Sequence, residues 1–190
     1  MRFLFTLLVL TLLSCCQFNE PISSNSDQQE LIPLKLNNTW YVQHTSFDSS
    51  GEIIRVRVDT STICCDTLVG GIKYYKYSDL SPDWNYNDDY GLWSIRYYGR
   101  SGFGEPDLFR KYPCKKGDTF NEFTVASTDT LINSKIGIIN CILYEANLGT
   151  FYIEDFSKPG VGQIRGTIYQ RNSEDKYVKS DEIELLGYKF

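Results

Sequence analysis

Ile54-Arg55-Val56-Arg57-Val58-Asp59 is the clearest run of alternating apolar and charged residues in the chain. Side chains along an extended strand point to opposite faces with a period of two, so the run predicts a β-strand with one solvated face. Ile54, Val56 and Val58 are expected to face the core, and Arg55, Arg57 and Asp59 to face water. Upstream, Trp40, Val42 and His44 alternate with Tyr41, Gln43 and Thr45, and Asp48-Ser49-Ser50-Gly51 supplies a turn, which completes a hairpin.

The same reading continues to the C-terminus. Gly70-Gly71 marks a turn after Ile63 to Val69 and before Tyr74 to Tyr77, and Trp93, Ile95 and Tyr97 alternate with Ser94, Arg96 and Tyr98. Ile136 to Leu143 is apolar on both faces, the pattern of a central strand. Turn-forming residues recur at intervals near 8 to 12 residues, as in all-β sandwiches and barrels, and no stretch holds a helical period. The fold class expected is all-β, a strongly curved antiparallel sheet of about ten strands, partly closed like a barrel, with little helix. An open sheet of that size tends to curl or split.

At the other end of the chain, Arg2 precedes an apolar run from Phe3 to Leu13 that is about eleven residues long, well short of the roughly 20 that span a bilayer as a helix. It ends in Leu12-Leu13-Ser14-Cys15. This stretch resembles the lipobox of bacterial lipoproteins. The resemblance implies cleavage between Ser14 and Cys15, a diacylglyceryl thioether on Cys15 and an acyl chain such as palmitate on the new amine. A thiolate is the side chain able to be alkylated in this way, and stable anchoring takes more than one chain. Residues 1–14 are therefore expected to be a signal peptide and 15–32 a lipidated N-terminus and tether, polar from Gln17 onward, with a reach of roughly 20 to 25 Å. Residues 33–190 form a single β-domain in this reading, held in the bacterial cell envelope at the outer membrane.

Composition narrows the partners. The whole chain carries a net charge of −5, and loss of the leader removes Arg2 alone and takes it to −6. Without a basic stripe, nucleic-acid binding is disfavoured. Aromatic residues make up 15% of the chain, with 14 Tyr and 11 Phe, a bias that favours strands. Cys64, Cys65, Cys114 and Cys141 remain for the domain. Four cysteines allow three pairings, and sequence does not choose among them. Cys64 and Cys65, as neighbours, would be strained as a pair, and Cys141 also reads as a buried free thiol.

No catalytic constellation is visible. His44, the one histidine, sits in the alternating strand and reads as a half-buried strand residue, and no Gly-x-Ser-x-Gly elbow exists. No cofactor is expected. Asp83-Trp84-Asn85-Tyr86-Asn87-Asp88-Asp89-Tyr90-Gly91 is the most unusual stretch and reads first as an Asn/Asp-rich turn. Asp83, Asn85 and Asn87 match the first alternate positions of a calcium loop, but Asp88 stands where glycine is needed. Trp84, Tyr86, Tyr90 and Trp93 could stack on a sugar ring or rim a protein contact.

The stretch Pro159-Gly160-Val161-Gly162 between strands, with the terminal Glu184-Leu185-Leu186-Gly187-Tyr188, resembles the C-terminal half of small uncharacterised β-rich envelope lipoproteins. That resemblance implies no activity. The leading expectation is a membrane-anchored, non-enzymatic β-domain that presents a surface or an apolar cavity to a ligand or protein partner. A glycan-binding module is the second expectation, and an envelope hydrolase using paired carboxylates the third.

Overall fold

The computed structural model describes residues 29–78 and 83–190. The leader, Cys15, Cys16 and most of the tether lie outside the described residues. Twelve strands form the domain: β1 (Thr39–Phe47), β2 (Ile53–Val69), β3 (Ile72–Tyr77), β4 (Asp83–Asp88), β5 (Gly91–Arg96), β6 (Asp107–Lys111), β7 (Thr119–Phe120), β8 (Phe123–Ser134), β9 (Gly137–Asn147), β10 (Phe151–Lys158), β11 (Gly162–Arg171) and β12 (Tyr177–Lys189). A single 3-10 turn at Gly99–Ser101 is the only helical element among the described residues. The all-β expectation holds, with twelve strands where the sequence suggests about ten.

All the pairings are antiparallel, in the order β6-β5-β4-β3-β2-β1-β12-β11-β10-β9-β8-β7. Each strand therefore lies beside its sequence neighbour except at two places: β1 pairs with β12, and β6 and β7 end the sheet. These two ends meet, so the sheet is nearly closed into a barrel. Side chains bridge the seam. The Asn121 amide donates to Asp107 Oδ1 and to the Leu108 carbonyl, both at 2.8 Å, and Lys111 pairs with Asp118 at 3.1 Å.

Local chemistry sets the turns. Gly70 and Gly71, at φ 59° and 84°, both take the left-handed conformation that a two-residue hairpin requires, and they join Val69 to Ile72. Asp48 Oδ1 accepts the backbone N–H groups of Ser50 and Glu52 and so fixes the β1–β2 turn.

Two strands are longer than expected, and one is new. β2 runs unbroken for 17 residues, pairing with β1 from Ile53 to Thr62 and with β3 from Ile63 to Val69. From Ile53 to Ser61 its other edge has no ladder partner among the described residues. β8 runs through 12 residues because register shifts near Ser127 absorb the break in its pattern. The supposed turn at Asp83 is strand β4, because Trp84, Asn85 and Tyr86 pair with Ile95, Ser94 and Trp93; only Asp88 to Gly91 turns. Aromatic cross-strand pairs outweigh the turn preference of Asn and Asp.

The facing of β2 is the main correction. Ile54, Val56 and Val58 are 66%, 52% and 61% exposed on one face, and Arg55 and Arg57, themselves exposed, line the concave side. The alternation is real, but the charged face looks inward. β9 is central to its half-sheet, paired with both β8 and β10, although Ile138 near its start is 76% exposed.

The core has three parts. Trp40, Ile63, Leu92, Ile164 and Leu185 belong to one, Phe120, Val125, Ile142 and Tyr144 to the second, and Tyr74, Tyr86 and Ile95 to the third. Leu31, only 2% exposed, joins the second. The segment around it is tied down on two sides: Gly160 N–H donates to the Glu30 carbonyl at 2.7 Å, and the Asn87 amide donates to the Ile32 carbonyl at 2.8 Å. Packing thus extends into the polar stretch that precedes the first strand.

Candidate functional site

The concave side of the sheet holds a cavity of about 520 Å³, within the roughly 300–1,000 Å³ usual for small-molecule sites. Strands β1, β2, β6, β8, β10, β11 and β12 all contribute to its wall. The lining is mixed. Phe109, Phe123, Ile153, Ile168 and Ile183 give it an apolar floor, while Arg55, Arg57, His44, Ser46 and Asp181 form a polar side. This differs from the apolar cavity suggested by sequence, and the inward facing of β2 is the reason.

One buried ion pair divides the interior. Arg110 on β6 is 8% exposed and Asp155 on β10 is 1% exposed. Their Nη2 and Oδ2 atoms lie 2.5 Å apart. Asp155 also accepts from Ser157 Oγ and Gln163 Nε2, both at 2.6 Å. The guanidinium lies over Phe109 at 4.2 Å and Phe123 at 4.9 Å from the ring centres, contacts favourable to a cation. A second cavity of about 220 Å³, lined by Trp40, Val42, Tyr77 and Val161, shares Phe109, Arg110, Asp155 and Gln163 with the first. The ion pair is thus the partition between the two. Its charges are satisfied in place, as burial demands.

The remaining charges sit on strands β1, β2 and β12. Asp59 takes Arg57 at 2.9 Å and His44 Nε2 at 3.3 Å. Burial, and then the nearby Arg57, lower the His44 pKa below the ordinary histidine value, with Asp59 and Asp181 opposing. Ser46 Oγ donates to Asp181 Oδ1 at 2.9 Å. Arg55, opposite Ser46 in the ladder, has no carboxylate partner among the described residues. The cavity therefore offers one uncommitted guanidinium, a carboxylate with one hydroxyl donor, and an apolar floor. Such a surface suits a molecule with both an apolar body and a polar head.

The residues singled out from sequence lie elsewhere. Tyr86 is 8% exposed and stacks on Trp93 with centroids 6.0 Å apart, while Trp84 meets Phe103 edge-on at 5.9 Å. Tyr74, Ile95 and Phe103 complete this cluster. Only Tyr90 of the four stands free in solvent, at 69% exposure. The rings pack on one another and do not form an open platform for a sugar. Asp83, Asn85 and Asn87 lie along β4, where alternate residues are spaced at about 6.8 Å, and so do not converge on a point. Asp83 pairs with Arg96 at 3.1 Å, and Asn87 is committed to Ile32.

Arg110 and Asp155 carry no sequence signal, because they are 45 residues apart and each stands among ordinary strand residues. The alternation at Arg55 and Arg57 was visible, but its direction was not.

The fold and site define an all-β domain with a nearly closed, barrel-shaped sheet and a partitioned interior. No family model matches the chain, and no curated protein matches it. Two crystal structures are similar in general outline. One is of a predicted lipoprotein from Parabacteroides distasonis, with 12% identity and a TM-score of 0.46 over 86% of this chain and 100% of that one. The other is of a predicted exported protein with a YmcC-like fold from Bacteroides fragilis, with 10% identity and a TM-score of 0.47 over 85% of this chain and 100% of that one. At these scores the likeness assigns no function to this chain.

Proposed function

We propose that this protein is a lipid-anchored component of the bacterial cell envelope, attached through Cys15 at the outer membrane, whose barrel-shaped domain holds a small amphipathic ligand. The observation that carries the reading is the cavity of about 520 Å³ with Phe109, Phe123 and Ile168 on one side and the uncommitted Arg55 on the other. Its role is binding, with no chemistry assigned to the bound molecule.

Two measurements test the two halves of this reading. Cys15→Ala protein should move from the membrane to the soluble fraction; unchanged membrane recovery removes the anchor. For the cavity, the probe is the amphipathic dye 1-anilinonaphthalene-8-sulfonate. Wild-type protein should bind it with saturable fluorescence, and Ile168→Trp, which fills the floor, should abolish binding while the circular dichroism of the sheet is kept. Equal dye binding by the two folded proteins would overturn the cavity reading.

A further inference from the structure

The sequence places two cysteines side by side in β2, and in a regular strand their side chains would point to opposite faces. The structure departs from regularity at that point. Ile63 pairs with Tyr77 and Cys65 with Lys76, so Cys64 is the extra residue of a β-bulge. The bulge turns the two thiols toward one another, and their sulfur atoms lie 3.0 Å apart. Both residues are exposed. Cys64 Sγ also reaches the Lys76 carbonyl at 3.6 Å.

The other two cysteines contrast with this pair. Cys141 is 1% exposed and burial pushes its pKa up to about 11, while Cys114 is half-buried beside the Tyr144 hydroxyl at 3.9 Å. Reactive cysteines are exposed ones that reach the thiolate form, and among the described residues Cys64 and Cys65 are the exposed ones.

We propose that Cys64 and Cys65 form a redox site, a vicinal dithiol that closes reversibly to a disulfide by exchange with an external small-molecule disulfide. In the first step the Cys65 thiol loses its proton to solvent, and its thiolate attacks one sulfur of the external disulfide. A mixed disulfide forms and one thiolate leaves. Cys64 then gives up its proton, attacks the Cys65 sulfur and expels the second thiolate. The two cysteines are oxidised by two electrons, and the external disulfide is reduced to two thiols. The hydrogen bond with Cys65, and after it burial, raise the Cys64 pKa.

Geometry makes this linkage labile. Neighbouring Cα atoms are about 3.8 Å apart, below the roughly 4.4–6.8 Å usual for disulfides. A bond between them is strained, and strained, exposed disulfides are the readily reduced, regulatory kind. Closing it also disturbs the β2–β3 ladder at its bulge, so the hairpin that ends in Gly70-Gly71 changes with redox state.

The test treats the full-length protein with oxidised glutathione and follows mass and peptide alkylation. The expected product has lost the mass of two hydrogens, with Cys64 and Cys65 protected from iodoacetamide, Cys114 and Cys141 unlinked, and full recovery in dithiothreitol. Cys64→Ser, which lacks the second thiol, should stop at a mixed disulfide carrying one glutathione on Cys65. Failure of Cys64 and Cys65 to react, a separate glutathione on each in the wild-type protein, or a bridge from either to Cys114 or Cys141 would overturn the proposal.

Discussion

Arg110 and Asp155 join the edge strand β6 to β10 across the barrel, with 2.5 Å between Nη2 and Oδ2. The pair does two things at once: it walls off one cavity from the other, and it ties the edge strand β6 of one half-sheet to β10 of the other half. Removing one partner leaves the other charge buried and alone, which costs about 3–5 kcal/mol. Asp155→Ala should therefore lower stability to urea by that amount. The double variant Arg110→Met, Asp155→Leu should lose far less than the sum of the single changes, since a matched apolar pair leaves no buried charge.

The inward facing of Arg55 and Arg57 predicts an asymmetry that sequence alone would reverse. Val56, 52% exposed, should accept lysine with a change within about 0.5 kcal/mol. Leu185, 1% exposed, should lose about 2–5 kcal/mol on truncation to alanine. Urea titrations of Val56→Lys and Leu185→Ala measure both; a large loss at Val56 would mean that β2 is turned the other way.

His44 faces Arg57 and Asp59 on β2 and Asp181 on β12, and its folded pKa is lowered from 6.5, chiefly by burial. The unfolded chain then binds the proton more readily than the folded one. The contribution to stability is complete above the unfolded value and is lost as the pH falls below it. The difference in stability between wild type and His44→Gln, measured from pH 8 down to pH 5, should drift against the wild type below about pH 6.5. The chain has one histidine, so a drift at that pH is attributable to it.

Leu31 gives a test of where packing begins. It lies against Phe120, Val125, Ile142 and Tyr144 and is 2% exposed. Leu31→Ala should cost about 2–5 kcal/mol in urea unfolding, whereas a residue of a free tether would cost nothing.

What could be read from sequence follows from what periodicity encodes. Alternation at Ile54 to Asp59 reports an extended chain, and glycine pairs report turns, so the all-β class and most strands were legible. Alternation does not say which face is inside. That depends on the whole closed sheet, which here encloses a mainly apolar interior with a polar side and leaves Ile54, Val56 and Val58 in water. The Asp83 to Asp88 strand was hidden because its polar residues carry turn propensity, while its partners Trp93 and Ile95 lie in the next strand. The thiol contact at Cys64 was hidden for a related reason. A bulge is a property of two strands, and Ile63-Cys64-Cys65 alone contains nothing that announces one. The contact between Arg110 and Asp155 needs the barrel to exist before either residue has a neighbour.

The strand order has a consequence for how the chain reaches this state. β1 to β6 and β7 to β12 are each a meander of sequence neighbours, and the ladder from Thr39–Lys189 to Ser46–Asp181 is the one that unites them. Local pairings close early and cheaply in entropy, whereas contacts between distant parts of a chain are slow. Two half-sheets zipped along one long-range ladder predict that β1 and β12 pair last in folding. Until that zipper closes, the inner edges of both halves stand open to other chains.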